Sequence, residues 1–190
     1  GLGVRFGVPL TERSSFSFGL TGDITSIDLK ADSPKQYLDF CDNTTGCDAN
    51  SLQVRTGWTY DSRDNLLFPN RGTLQRLTAE IGVPGLDLEY YKLQYQHTLF
   101  KDDIFKNTVF MLNGELGYAD SYGDKKFPFF KNFFAGGVNS IRGFQNGTLG
   151  PRDIDPATGN NFSVGGTTRI VGNAEVFVPV PLIKDSSQFR

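Results

Sequence analysis

Seven segments of this 190-residue chain alternate apolar and polar residues with a period of two, the pattern of strands whose two faces meet unlike surroundings. Taking every second residue, the apolar parity runs Leu2 to Val8, Phe16 to Ile24, Leu52 to Tyr60, Leu77 to Val83, Tyr91 to Leu99, Phe110 to Tyr118 and Thr168 to Val178. The other parity holds the mid-strand charge: Arg5, Asp23, Arg55, Arg76, Glu80, Lys92, Glu115, Arg169 and Glu175. The parity slips at Ile27 and Leu29, which places a strand end or a bulge there, and Leu74 falls on the polar side.

A soluble β-sandwich also alternates, but its apolar face must fill a packed core with large aliphatic side chains. Here that face includes Gly22, Gly114, Gly172, Ala79 and Ala174, with Trp58, Tyr60, Tyr91 and Tyr118 toward strand ends. Such a composition suits a smooth lipid-facing surface with an aromatic girdle. Strands of about 11 residues at ~3.3 Å each, tilted ~40°, reach roughly 28 Å, the height of an outer-membrane barrel's apolar band. The connections run short, long, short, short, short, long. Both long ones fall on the side of the Pro84-Gly85 turn, as extracellular loops should opposite short periplasmic turns.

The expected fold class is therefore all-β, about seven strands of an antiparallel transmembrane β-barrel with outer-membrane lipid around it. Single-chain bacterial barrels have an even strand count, so residues 1–190 are expected to be one partial barrel domain. No apolar run approaches the 18 or so residues of a membrane helix. A net charge of −2 argues against a nucleic-acid partner.

Residues 119–167, between the sixth and seventh strands, show no sustained alternation, and irregular spans of this length are usually functional. At their centre Ile141, Arg142, Gly143 and Phe144 follow Gly136-Gly137. The glycine pair lacks the G-x-G-x-x-G spacing and the strand-to-helix context of a phosphate cradle, so no nucleotide cofactor is expected. Cys41 and Cys47, with five residues between them in a polar segment, read as a loop-closing disulfide of an oxidising compartment, with free thiols as the alternative. A zinc site would need further soft ligands, and the single histidine, His97, lies on another segment as an interfacial anchor. No catalytic constellation, metal set or cofactor motif stands out, so an enzyme is not expected.

The segments Phe129 to Gly137, Ile141-Arg142-Gly143-Phe144 and Thr148-Leu149-Gly150-Pro151 closely resemble the sixth extracellular loop of the BamA family, with its (V/I)RG(F/Y) motif. Gly57-Trp58-Thr59-Tyr60, Phe68-Pro69-Asn70-Arg71-Gly72, Val83-Pro84-Gly85, Glu89-Tyr90-Tyr91-Lys92 and Glu175-Val176-Phe177-Val178-Pro179 also resemble that family, in its order. The resemblance implies the sixth to twelfth strands of a sixteen-strand barrel, with the periplasmic POTRA domains and the first and last strands absent. It implies a central role in folding and inserting β-barrel proteins in the Gram-negative outer membrane. Nascent outer-membrane proteins and accessory Bam lipoproteins would be the partners. TamA or a two-partner secretion transporter shares the loop arginine and is the close alternative, with a passive outer-membrane channel a further one.

In the family the loop folds inward and its arginine meets acidic residues on the barrel wall. Glu175 matches the wall glutamate and already lies on the charged parity, so Arg142 to Glu175 is the expected contact. In a screened lumen, loss of one partner would cost about 3–5 kcal/mol. The aspartate that shares this contact in the family would lie beyond Arg190. Gly143 is expected to take a backbone conformation barred to other residues, and Phe144 to serve as an apolar anchor.

Overall fold

The strands follow the alternation. They are β1 (Leu2–Thr11), β2 (Ser14–Thr25), β3 (Ala49–Asp61), β4 (Gly72–Gly82), β5 (Tyr90–Asp102) and β6 (Val109–Ser121). A helix, α1 (Lys35–Cys41), interrupts the second connection; β7 (Arg152–Ile154) and β8 (Asn161–Ser163) form a small hairpin, and β9 (Thr168–Phe177) is the last long strand. These come from a computed structural model that describes residues 1–30, 33–41, 47–102, 108–154 and 158–178. The turn expected over Lys101 to Asn107 and the stop at Pro179 and Pro181 fall largely outside the described residues.

The seven long strands make one antiparallel sheet in the order β1-β2-β3-β4-β5-β6-β9. Register follows the parity. One outward row, Val8, Phe16, Trp58, Leu77, Tyr95, Leu116 and Ile170, crosses all seven strands. A slip of one residue in any strand would put its charges into that row, so the pattern itself fixes the pairing. Val8, Phe16, Leu77, Leu116 and Ile170 are exposed and Trp58 and Tyr95 half-buried, as a lipid-facing surface requires. Aromatic residues gather toward both edges of the band: Trp58 stacks on Tyr60 and donates its indole N–H to Ser14 at one end, and Tyr91 packs on Tyr118 at the other.

The opposite face carries rows of polar residues. Arg55, Glu80 and Lys92 are direct cross-strand neighbours there. Where that face reaches the short-turn side it becomes apolar. Leu74, Phe100 and Val109 are buried, and Phe100, Val109 and Phe177 line a small pocket with Leu67, Phe68 and Pro69 of the β3–β4 turn. The turn folds under the sheet, which explains the off-parity Leu74. Asn65 accepts hydrogen bonds from the backbone of Leu67 and Phe68, and Asp64 from that of Asn70 and Arg71, so the turn holds a set shape.

The three connections expected on one side do meet there. Phe40 of α1, Ala49 at the start of β3, Leu88 and Tyr90 after the Pro84 turn, and Phe129 of the long loop form one buried cluster. Boundaries differ from the sequence expectation, and the long loop has structure of its own. β3 begins at Ala49 rather than Leu52, the long loop opens after Ser121 rather than at Ala119, and that loop contains a hairpin and a single 3-10 turn, Phe129–Lys131. Ala119 is fully buried within β6, so its place in the strand is fixed by packing that alternation alone does not reveal.

Candidate functional site

The site is the inner face of the sheet together with the loop laid against it. The loop enters through Pro128 and the Phe129–Lys131 turn. The Phe129 ring stacks on Tyr37 at 3.9 Å between centroids and meets Phe40 edge-on, so α1 caps this root. Burial there, together with the charge of Asp153, holds the Tyr37 phenol above its ordinary pKa. Cys41 at the end of α1 is disulfide-bonded to Cys47, which ties the end of the capping helix to the segment that leads into β3. The backbone N–H of Gln36 donates to the Asp153 carboxylate at 2.6 Å, and Lys126 donates to the carbonyl of Asp39 at 3.1 Å.

Below the cap the loop lies on the wall. Phe133 packs its ring over Gly117 of β6, where a Cβ would stand 2.7 Å from the ring, so only glycine accommodates this approach. The Lys92 ammonium sits 4.1 Å from the Phe133 ring centroid, within cation–π range. Phe133 also exchanges backbone hydrogen bonds with Gly166, and Asn132 donates its side-chain amide to the carbonyl of Val164 at 2.8 Å. These bonds tie the descending limb to the limb that returns to β9. Replacing Gly117 with valine is expected to push Phe133 off the wall and cost about 1–3 kcal/mol, read as a lower urea midpoint of the folded full-length protein.

At the tip, the N–H of Gly137 donates to the carbonyl of Phe144 at 3.0 Å and that of Ser140 to Gly137 at 3.0 Å. Gly143 has φ +88° with nothing near its absent Cβ, so its requirement is conformational rather than steric. Arg142 Nη2 lies 3.1 Å from Glu175 Oε1 on β9. Glu175 is seven residues into β9 from Thr168, roughly 23 Å of strand at ~3.3 Å per residue, so the tip reaches far down the wall. Ser140, Ile141 and Arg142 face Thr98, Asn113 and Glu175 across a polar cavity. Thr98 and Gln96 both donate to Asn113, and Arg169 pairs with Glu115 at 2.5 Å.

Within this seven-strand sheet the Arg142 side chain is 66% exposed and that of Glu175 21%. Phe144 is 53% exposed in the same sheet, and Phe133 makes an apolar contact to the wall. Sequence reasoning also missed the cluster around Glu80, which receives Arg55 Nε at 2.8 Å, the Tyr90 hydroxyl at 2.5 Å and Lys131 Nζ at 2.7 Å. The charged parity already contained Arg55, Glu80 and Lys92. Working out the register from the short turns would have set them side by side.

A seven-strand wall with lipid-type side chains outside and a long loop pinned to its charged inside is the geometry against which relatives can be compared. The Omp85 superfamily domain matches residues 1–190. The chain belongs to the Omp85 superfamily. It is 38% identical to the outer membrane protein assembly factor BamA of Neisseria meningitidis, a match covering 100% of this chain and 25% of that protein. It is 30% identical to the human sorting and assembly machinery component 50 homolog over 64% of this chain and 24% of the relative. The crystal structure of Haemophilus ducreyi BamA lacking POTRA domains 1–3 superposes with a TM-score of 0.83 at 23% identity, covering 98% of this chain and 38% of that one. The chain thus spans about a quarter of the Neisseria protein's length, and the fold is that of a segment of such a barrel.

Proposed function

We propose that this chain is the loop-bearing wall of a BamA-type barrel, the central component that folds and inserts β-barrel proteins into the Gram-negative outer membrane. The observation that carries this reading is the loop arginine, Arg142, held against Glu175 on the inner face of the strand that follows the loop. Every strand from β2 to β6 is hydrogen-bonded on both sides, so this portion works as fixed scaffold. Its task is positioning: a rigid wall keeps the loop at a set depth. Outer-membrane lipid surrounds the outward rows, and nascent outer-membrane proteins are the clients. Accessory lipoproteins would be engaged mostly through POTRA domains.

The full-length protein, reconstituted in liposomes with its accessory lipoproteins, is expected to speed the folding of a urea-denatured outer-membrane barrel at least tenfold over empty liposomes. No acceleration would remove the assembly reading. A large steady ion conductance without acceleration would favour a passive channel.

A further inference from the structure

The Arg142 pair is the deep tether of the loop, and a second charged contact stands at its entrance. Lys131 closes the Phe129–Lys131 turn, and its ammonium donates to Glu80 Oε1 at 2.7 Å and to Gln53 Oε1 at 3.1 Å. Its third direction faces the Tyr90 ring, 5.4 Å from the centroid. The partner is held in turn: Tyr90 donates to the same carboxylate oxygen and Arg55 to the other. From below, Lys92 Nζ donates to the Lys131 carbonyl at 2.6 Å, gripping the backbone of the residue whose side chain grips Glu80.

We propose that Lys131 is the positioning residue that locks the root of the loop to the wall, and that releasing it frees the loop from the inner face. Burial is the first reason. The Glu80 and Lys131 side chains are 7% and 19% exposed, so water competes weakly for them. Placement is the second. Glu80 stands two residues from the loop-side end of β4, where the loop enters, while Glu175 stands two residues from the far end of β9. Connectivity is the third. Asn132 and Phe133, adjacent to Lys131, bind the returning limb at Val164 and Gly166, so a freed root frees both limbs. Lysine fits because a compact ammonium with three donors meets two acceptors and a ring face in a space bounded by Arg55 and Lys92. The proposal concerns where the loop lies and is independent of what the barrel does.

Ser140 is buried beside the motif and serves as a reporter. In the full-length protein with S140C as its sole free thiol, labelling by a bulky, membrane-impermeant maleimide reports the time the loop spends away from the wall. K131M is expected to speed labelling at least tenfold, and K131R to stay within threefold of the parent. Retention of the heat-sensitive gel mobility of a folded barrel shows that each variant is folded. Should K131M not fold, K131A, which removes the ammonium and leaves Glu80 its Arg55 and Tyr90 partners, is expected to give the same acceleration. Parent-like labelling of K131M, or of K131A in its place, overturns the proposal.

Discussion

Glu80→Ala in the full-length protein is expected to lower barrel stability by about 3–5 kcal/mol, the cost of stripping a buried charge cluster of its counter-ion. Glu80 is the carboxylate that contacts Arg55 and Lys131 beside the neighbouring Lys92, and its removal leaves these cations facing one another with the Tyr90 hydroxyl unpaired. The order of effects follows. E80A should be worst, because it strands several donors at once. E80Q should be milder, since the amide still accepts from Tyr90. K131M should cost less than E80A, because Glu80 keeps Arg55 and Tyr90. The double variant E80Q/K131M should be milder than the sum of the singles, because the ammonium that would be left unpaired is also gone. Urea midpoints of the folded, gel-resolved band in detergent measure all four. An E80A midpoint equal to the parent's would mean that the cluster is solvated in the complete barrel.

That cluster also marks where the sequence stops being readable. Period-two alternation specifies which residues face in, and it put Arg55, Glu80, Lys92 and Glu175 on one surface without any knowledge of neighbours. The cross-strand rows follow once turn lengths fix the register, and the observed rows obey them. The loop obeys neither rule. Lys131 lies between Phe130 and Asn132, and its partner is 51 residues away in sequence, so no local spacing signals the pair. The helix α1 is seven residues long, too short for a 3.6-residue period to rise above chance, and it is held by Phe129 and the disulfide rather than by propensity. Leu74 looked like an error of parity and is instead part of an apolar floor beneath the charged face. In each case tertiary contact supplies what pattern cannot.

Arg142→Ala is expected to separate function from stability. One ion pair at the tip of the loop adds little to a sheet whose strands are hydrogen-bonded to one another throughout, so the urea midpoint should move far less than for Glu80→Ala. Assembly by the full-length protein in liposomes should nevertheless fall about tenfold or more, because the contact sets the position of the Ile141–Phe144 segment rather than the survival of the wall. Arg142→Lys should recover only part of that rate, since a single ammonium replaces a planar fork able to meet both carboxylate oxygens. The pairing itself is tested by reversal. Arg142→Glu and Glu175→Arg should each impair assembly by juxtaposing like charges with what remains, and the double reversal should assemble faster than either single. If the double is no better than the singles, Arg142 acts through some partner other than Glu175, and the depth of the loop must be fixed by the backbone turn at Gly137 and Phe144 together with the lock at its root.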